Sequence, residues 1–222
     1  MSVIECVTTH LLFECYIGII ETCDVIVKNY FEDYRLDSPA LDLLNSDWRD
    51  YRGSGRHEDR LDSAEWVSGF VSRWGFSEAG TLSNATISKL RALRGVLQRI
   101  VDSLVAGESP SEGDIAAMND ALAACPQRRL LVREGTGFRV DYAPDGRDWN
   151  WVRAEIAASF AEMLAEHDPR RIKMCENDNC RWVFCDESKS RSRRWCEDTC
   201  GNLVKVRRFR QRRRAEAARP AK

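Results

Sequence analysis

The sequence predicts an α+β fold, in which a mainly helical body with a β-hairpin precedes a small C-terminal four-cysteine zinc finger with a basic helix. Apolar residues recur at helical spacing in several segments of residues 36–168. Two strand-like runs flank the Gly-Thr-Gly turn at 135–137, which is typical of a hairpin. Two close cysteine pairs then lie in an arginine-rich segment, 169–222. A chain of 222 residues can bury one sizeable core and carry a small appended module.

Capping residues mark the first predicted helices. Ser38 and Pro39 suit an N-cap and a first helical position, so we expect a short helix through Leu44. The polar, glycine-containing stretch 49–59 is typical of a loop. Ser63 is the expected N-cap of the next helix, in which tryptophan, valine and phenylalanine recur at helical spacing.

Three further helices complete the predicted body. Residues 84–105 keep a helical apolar period, and Gly107 is expected to end that helix. The pattern Ser111-x-x-Asp114 resembles a capping box and opens a shorter helix. The inward residues of this shorter helix are expected to be Ile115, Met118 and Leu122. Another amphipathic helix is predicted over 149–167.

Charge divides the chain into an acidic part and a basic part. Residues 170–222 contain 17 lysines and arginines against 7 aspartates and glutamates, whereas residues 1–169 contain 17 against 28. The net charge of −1 for the whole chain conceals this division. A basic segment attached to an acidic body is typical of a protein that binds a polyanion, above all nucleic acid.

The four clustered cysteines have the spacing of a zinc site. Cys175 and Cys180 flank turn-forming residues, while Cys196 and Cys200 would face the same side of a helix. Because sulfur would fill all four positions of one tetrahedral Zn²⁺, the predicted zinc is structural and not catalytic. Two disulfides or four unlinked thiols are the alternatives. The other five cysteines are scattered, which fits a reducing cytoplasm better than a disulfide framework.

The C-terminal segment resembles the CGNR zinc-finger family. The matching elements are the C-x4-C pair, W-x-F-x-D at 182–186, R-R-W-C at 193–196 and C-G-N at 200–202, followed by a basic helix. Leu203 stands where the family's motif has arginine, so any contact assigned to that position does not carry over.

The body resembles, more weakly, the ABATE domain that usually precedes this finger. The traces are L-D-L-L-N at 41–45 and the hairpin, helix and D-P-R-R segment that lead into the first cysteine. The resemblance implies a bacterial transcription regulator with a ligand-sensing body at 36–168 and a finger at 169–222. Residues 1–35 fall outside it, and they are interpreted either as an element packed on the body or as an over-extended translation start.

The basic helix supplies most of the predicted nucleic-acid contacts. Its arginines suit phosphates, whereas Asn202 and one or two arginines suit base edges. Leu203, Val206 and Phe209 are expected to dock the helix onto the finger. The predicted contact residues are Arg191, Arg193, Arg194, Asn202, Lys205, Arg207, Arg208, Arg210, Arg212, Arg213 and Arg214. Neutralisation of the zinc thiolates by Lys173, Arg181, Arg193 and Arg194 is an alternative role for some of these cations.

Other function classes find less support in the sequence. The three histidines are isolated and no nucleophile elbow or phosphate-binding loop occurs, so no enzyme is predicted. Charged residues interrupt the apolar runs near the N-terminus, so no membrane span is expected and a cytoplasmic location is predicted.

The predicted partners are DNA and, by the resemblance, a small-molecule effector. Asn45, Trp48 and Arg49 follow the L-D-L-L-N segment and are the predicted edge of an effector pocket, although helix termination and packing also explain them. The competing function is a zinc-stapled interaction module whose basic arm binds RNA or an acidic protein surface. A homodimer would extend the few base pairs that one finger reads, although no feature of the sequence indicates it.

Overall fold

A computed structural model of the chain describes residues 38–217, which lie within one compact unit, Asp37–Lys222. The interpretation of residues 1–35 falls outside the described residues. The α+β class is confirmed, because helices dominate, the strands form small hairpins, and four cysteines cluster in the C-terminal region.

The body consists of short and long helices with two antiparallel hairpins between them. Its helices are α1 (Pro39–Leu44), α2 (Ala64–Arg73), α3 (Asn84–Ala106), α4 (Glu112–Leu122) and α5 (Trp149–Glu166). Its hairpins pair β1 (Asp47–Arg49) with β2 (His57–Asp59), and β3 (Gln127–Glu134) with β4 (Gly137–Pro144). The C-terminal segment adds a third hairpin, β5 (Ile172–Met174) with β6 (Val183–Cys185), and the helix α6 (Asp198–Ala217).

The helices begin and end where their capping residues predict. The hydroxyls of Ser38, Ser63 and Ser111 each accept a hydrogen bond from the backbone N–H three residues on, at 3.1–3.2 Å. Gly107 ends α3 with a φ of +77°, a left-handed conformation in which a Cβ would be strained. Local chemistry therefore sets these boundaries.

Two details of the predicted body are wrong. The stretch 49–59 is not entirely loop, because its ends belong to the β1–β2 hairpin, whose strands of three residues are too short to show a periodicity. Ile115 of α4 is 39% exposed instead of facing inward. The preceding residue, Asp114, is 7% exposed and pairs with Arg99 of α3 at 2.7 Å, so Asp114 and not Ile115 faces α3.

One apolar core extends from the body into the C-terminal hairpin. Leu43 of α1, Ile100 of α3 and Phe160 of α5 are at most 1% exposed. Ile172 of β5 and Val183 of β6 belong to the same core, and each is 2% exposed. The first strands of the finger therefore fold as part of the body and not as a tethered module.

Successive residues of β6 connect this core with the cysteine cluster. Val183 faces the body, while Phe184, on the opposite side of the strand, packs against Cys175 and Cys200. The side chain of Asn45 at the end of α1 also binds both backbone groups of Val183, at 2.9 and 3.0 Å. These contacts fix the orientation of the finger on the body.

A partly buried ion-pair network holds the β1–β2 hairpin against α3. Arg94 binds both carboxylate oxygens of Asp59 at 2.8 Å, and Arg91 adds a third bond of 2.8 Å. The hydrogen bonds from Arg94, the largest influence, and from Arg91 hold the pKa of Asp59 well below its usual range although burial opposes ionisation. The loop 50–56 is thereby held next to the finger.

Within residues 38–217, no helix is long and apolar enough to cross a membrane.

Candidate metal centre and nucleic-acid interface

The four clustered thiols have the dimensions of a zinc site. The Sγ atoms of Cys175, Cys180, Cys196 and Cys200 all lie within 4.8 Å of one another. The Cys180–Cys196 and Cys196–Cys200 Sγ separations are 3.7 Å. Tetrahedral Zn²⁺ with Zn–S bonds of about 2.3 Å separates its sulfurs by about 3.8 Å. A disulfide needs about 2.05 Å, and all four thiols are free, so the donor set fits one zinc ion.

Short backbone turns bring the two cysteine pairs together. Cys175 follows β5 and its N–H donates to the carbonyl of Trp182 at 2.8 Å, while the N–H of Cys180 donates to that of Asn177 at 2.7 Å. Cys200 lies in the first turn of α6 and is 2% exposed. Cys196 precedes the helix instead of sharing it, so a loop and not the helix face brings this ligand to the cluster.

The close packing of the thiols shifts their ionisation strongly. Hydrogen bonding with Cys180 and then Cys196 lowers the pKa of Cys175 to about 2. The interaction with Cys175 raises the pKa of Cys180 to about 12 and also raises the pKa of Cys196. The four thiols therefore titrate together, and a bound divalent cation would stabilise them as thiolates.

Asn177 connects the metal centre to the body and was missed by sequence reasoning. Its side chain is fully buried, and its amide donates to the carbonyl of Tyr51 at 2.9 Å and to the Sγ of Cys200 at 3.4 Å. An N–H donor to a ligating sulfur stabilises the thiolate and orients it. The signal in the sequence is the asparagine between Cys175 and Cys180. Its turn-forming tendency alone does not predict a contact with a ligating sulfur.

Asp186, the aspartate of the W-x-F-x-D stretch, organises the loop that leads to the second cysteine pair. It is fully buried, and its carboxylate accepts bonds from Lys173 Nζ at 2.6 Å, the Ser188 hydroxyl at 2.6 Å and the Arg193 N–H at 2.9 Å. Burial opposes ionisation, but these bonds outweigh it and lower the pKa of Asp186 to about 2. Lys173 therefore pairs with Asp186 and not with the thiolates.

Three of the predicted nucleic-acid contacts lie between the cysteine pairs, and all have partners in the protein. Arg191 pairs with Asp168, and Arg194 binds both oxygens of Glu176 from its Nε at 2.8 Å. The guanidinium of Arg193 lies 4.8 Å from the ring centroid of Phe184. It also donates to the backbone carbonyls of Trp195 and Cys196. These contacts stabilise the finger itself.

Within residues 38–217, Arg207 is the predicted contact on α6 whose guanidinium is bound by hydrogen bonds from the protein. It donates to Asn177 Oδ1 at 3.0 Å and to the carbonyl of Arg52 at 2.6 Å. The loop comes so close that a Cβ at Gly53 would lie 3.1 Å from Arg207 Nη2, and Gly53 has a φ of +91°. The positive φ favours glycine at this position, and a Cβ would also crowd the ends of the Asn179 and Arg207 side chains.

The remaining predicted contacts on α6 are exposed. They are Asn202, Lys205, Arg208, Arg210, Arg212, Arg213 and Arg214. Lys205 Nζ lies 5.9 Å from the centroid of the Trp195 ring, and the charge of Arg208 acts on Glu176. Within residues 38–217, the side chains of this set make no hydrogen bond or salt bridge like those of Arg191, Arg194 and Arg207. We call these residues the outer face of α6.

Two of the three apolar docking residues predicted for α6 are wrong, while the third, Leu203, is partly buried. Val206 and Phe209 are 45% and 56% exposed, whereas Cys200 and Val204 are buried. The metal ligand Cys200 decides which side of the helix faces the protein, and Val204 lies one turn further along that side. Val206 and Phe209 recur with Asn202 at i, i+4 and i+7, so the three share one side of the outer face.

Two of the three predicted effector-pocket residues line one cavity, and the third, Trp48, lies between two lining residues in β1. Asn45 and Arg49 line a cavity of about 200 Å³ together with Gln98, Arg181 and Trp182. The amide of Asn45 is bound to Val183 as described, and Arg49 lies 3.5 Å from Asp47. The guanidinium groups of Arg56 and Arg60 lie 5.5 and 5.8 Å from the Trp48 ring centroid.

Comparison with known proteins identifies both parts of the chain. Residues 37–167 match the ABATE family model, described as "Putative stress-induced transcription regulator". Residues 171–213 match the model of the CGNR zinc finger. A search of curated proteins gave no significant match. The two expected resemblances are therefore confirmed in order and position.

Proposed function

The chain belongs to the ABATE family and ends in a CGNR zinc finger, and on this basis we propose that it is a zinc-dependent, DNA-binding transcription regulator whose body senses a small ligand. The observation that carries the proposal is the outer face of α6, whose cations are exposed while the other side of the helix bears the ligand Cys200. The zinc holds the helix in place, and the helix presents its charge to a polyanion.

Duplex DNA fits this face through both charge and shape. An α-helix enters the major groove, where arginines and lysines neutralise phosphates and an asparagine pairs with adenine. Asn202 is at the N-terminal end of α6, where recognition helices contact base edges. Val206 and Phe209, on the same side, suit the methyl groups of thymine. We propose the outer face as the reading surface, with Arg191, Arg193 and Arg194 supporting it.

A structural change caused by a ligand in the body would reach the finger through the residues that connect the two parts. The contacts of Asn45 with Val183 and of Arg207 with the loop 50–56 make the orientation of α6 depend on the body. A ligand that shifts α1 or the β1–β2 hairpin would therefore move the outer face. Asn45, Trp48 and Arg49 remain our proposed pocket edge at this junction.

A second copy of the chain is the proposed partner of the β3–β4 hairpin. On one of its faces Leu131 pairs with Val140, and Arg133 with Phe138. Leu131, Phe138 and Val140 are 73%, 65% and 58% exposed. Arg133 lies 5.7 Å from the Phe138 ring centroid within the hairpin, and the exposed apolar side chains beside this pair would be covered if a second copy packed on the same face. Sedimentation of wild type and Leu131→Ser tests this, since a dimer that persists in the variant would contradict it.

The competing function is a zinc-stapled module whose basic arm binds RNA or an acidic protein surface. The exposed cations of α6 suit either partner, whereas Asn202, Val206 and Phe209 on one side of the helix favour a duplex groove. The matched families are a regulator and a zinc finger, and we propose no catalytic activity. The proposed site of action is the cytoplasm, where thiols stay reduced.

The test measures zinc content and selects binding sites from random duplex DNA, with wild type and Cys196→Ser in parallel. We expect one zinc per chain and an enriched motif for wild type, and the loss of both in the variant. Cys125→Ser is the control, because Cys125 is a free thiol of the body outside the cluster. Zinc without enrichment at moderate salt, or stronger binding to single-stranded RNA, would support the competing function instead.

A further inference from the structure

The body contains a second cavity, of about 290 Å³, that neither the finger nor the proposed junction pocket uses. It lies where the first turns of α3 and α5 meet the segment 79–81. Its floor includes Leu90 and Ala79, which are 2% and 6% exposed, and Trp149 lines one side. A volume at the small end of the range of known ligand sites suits a molecule of few atoms.

Two cations face this cavity, and one has a buried donor without a partner. Arg153 and Lys89 both line it. The Nε of Arg153 is buried and makes no hydrogen bond. A guanidinium N–H is always a donor and never an acceptor. Leaving it buried and unpaired is unfavourable unless something else supplies an acceptor.

The other polar groups of the cavity are already engaged or are neutral. Asp148 accepts from the N–H groups of Asn150 and Trp151, at 2.9 and 3.2 Å, and so caps α5. Thr86 is hydrogen-bonded to Ser83 at 2.9 Å. Asp148 is thus committed to the helix end, and the cations dominate the rest of the wall.

We propose that this cavity binds a small organic carboxylate, with Arg153 as its anchor. A carboxylate accepts two hydrogen bonds from one guanidinium, and Arg153 can offer its Nε with a terminal nitrogen once its side chain turns toward the cavity that it lines. Lys89 adds a second positive charge at the rim. The N-terminus of α3, whose cap is the uncharged Ser83, also favours an anion. The apolar floor and the Trp149 ring provide contacts for a carbon skeleton that inorganic phosphate lacks.

The binding reaction does not depend on the DNA-binding proposal. Only the further step, that this carboxylate is the signal that the regulator senses, depends on the proposed function. The test is therefore made first on the zinc-loaded full chain without DNA. The same ligand is then added to a DNA-binding assay, so a failure of either step can be recognised separately.

The experiment is calorimetric titration with acetate, butyrate, benzoate and succinate at constant ionic strength, with butyramide, benzamide and inorganic phosphate for comparison. We expect at least one carboxylate to bind with a Kd below about 1 mM, and its amide to bind at least about tenfold more weakly. Arg153→Met should weaken the binding at least about tenfold. Arg128→Met removes the same charge from the exposed hairpin and should bind as wild type does.

Three results would overturn the proposal: no carboxylate binds, the amides bind equally well, or Arg153→Met binds as tightly as wild type. Binding of phosphate alone would also overturn the assigned ligand class. If Arg153→Met does not fold, Lys89→Met decides, because Lys89 is exposed and its loss should weaken binding without unfolding. NMR shifts induced by the bound carboxylate should then centre on Thr86 and Trp149, and shifts centred elsewhere would contradict the site.

Discussion

Arg207 and Arg208 are neighbours on α6 and have opposite surroundings. Arg207 is bound by Asn177 and by the carbonyls of Tyr51 and Arg52, whereas Arg208 is exposed. The same contrast separates Arg193, which is packed on Phe184, from the arginines of the outer face. The arginines therefore form two sets. The inner set, with Arg193 and Arg207, is bound by the protein and stabilises the finger, whereas the outer set on the exposed side of α6 is accessible to a polyanion.

The difference shows that position relative to the metal decides the role of each cation. Cys200 and Val204 place one side of α6 against the protein, and Arg207 continues that side by one turn. Once the zinc ligands fix the helix, a residue next to Arg207 in sequence is rotated by about 100° around the helix axis and points to solvent, as Arg208 does. Removing the metal should abolish the difference between the two sets of arginines. Exchanging one arginine at a time measures what each side chain contributes.

Removal of a zinc ligand should have the largest effect on the stability of the finger, because the zinc ligands fix the orientation of α6. Cys200→Ser removes one of four thiolates and the sulfur that accepts from Asn177. Structural zinc contributes about 10–16 kcal/mol in zinc-finger peptides, so we expect the finger to unfold and the zinc content to fall below one per chain. Metal analysis with NMR of the finger resonances measures this. Retention of one tightly bound zinc would refute the four-thiolate site.

Exchange of the inner arginine should cost stability, and exchange of its neighbour should not. Arg207→Met leaves Asn177 and two backbone carbonyls without their donor, so the free energy of unfolding should fall by about 2–4 kcal/mol. Arg208→Met is the matched control, and its stability should stay within about 0.5 kcal/mol of wild type. Denaturant unfolding of the zinc-loaded proteins gives both values, and equal losses would remove the distinction between the two sets.

The body also contains a partly buried charge, Asp59, beside an exposed one, Asp62. The contribution of Asp59 to the free energy of unfolding should depend on pH. Asp59 is bound by Arg94, whose side chain is 13% exposed, and Asp59→Asn should lower stability by about 2 kcal/mol at neutral pH. Because the folded pKa of Asp59 is lowered from 3.8, its contribution is complete above about pH 4 and is lost as the pH falls further. The difference between wild type and Asp59→Asn should therefore shrink below about pH 4.

The control for this prediction is Asp62→Asn, since Asp62 binds Arg91 but its side chain is 68% exposed. Its effect on the free energy of unfolding should be below about 1 kcal/mol. A difference between wild type and Asp59→Asn that grows as the pH falls would show that the sign of the pKa shift is wrong.

The smallest expected effect is on sequence preference. Asn202→Ala on the outer face should relax the preference at one base pair by about 1–3 kcal/mol without changing stability. Selection from random duplex DNA by wild type and variant measures it. An unchanged motif would exclude Asn202 as a base-reading residue, while binding through the arginines could still persist.

The sequence predicted those features that depend on local chemistry. The helix starts at Ser38, Ser63 and Ser111 depend on one hydroxyl each, and the zinc ligands depend on spacing within two short turns. The surroundings of the arginines could not be predicted in this way. Arg207 binds carbonyls about 155 residues away in sequence, in a loop that the sequence reveals only as polar.

The error at Val206 and Phe209 has the same origin. Their spacing suggested an apolar docking face, yet the metal ligand and not the apolar residues orients α6. Asn45 is a second residue whose contacts could not be predicted from local sequence. Its position after α1 was noticed, but the bonds to Val183 that fix the finger join residues 138 positions apart, which no local pattern reveals.

The salt dependence of binding to duplex DNA tests the division into inner and outer cations most directly. The measurement compares wild type with the triple variant Arg212→Gln, Arg213→Gln and Arg214→Gln. Each phosphate contact contributes about 0.9 to the slope of log K against log salt. We predict that the variant loses up to about 2.7 from this slope while its melting temperature stays the same. An unchanged slope, or a slope that falls only with a loss of folding, would contradict the account.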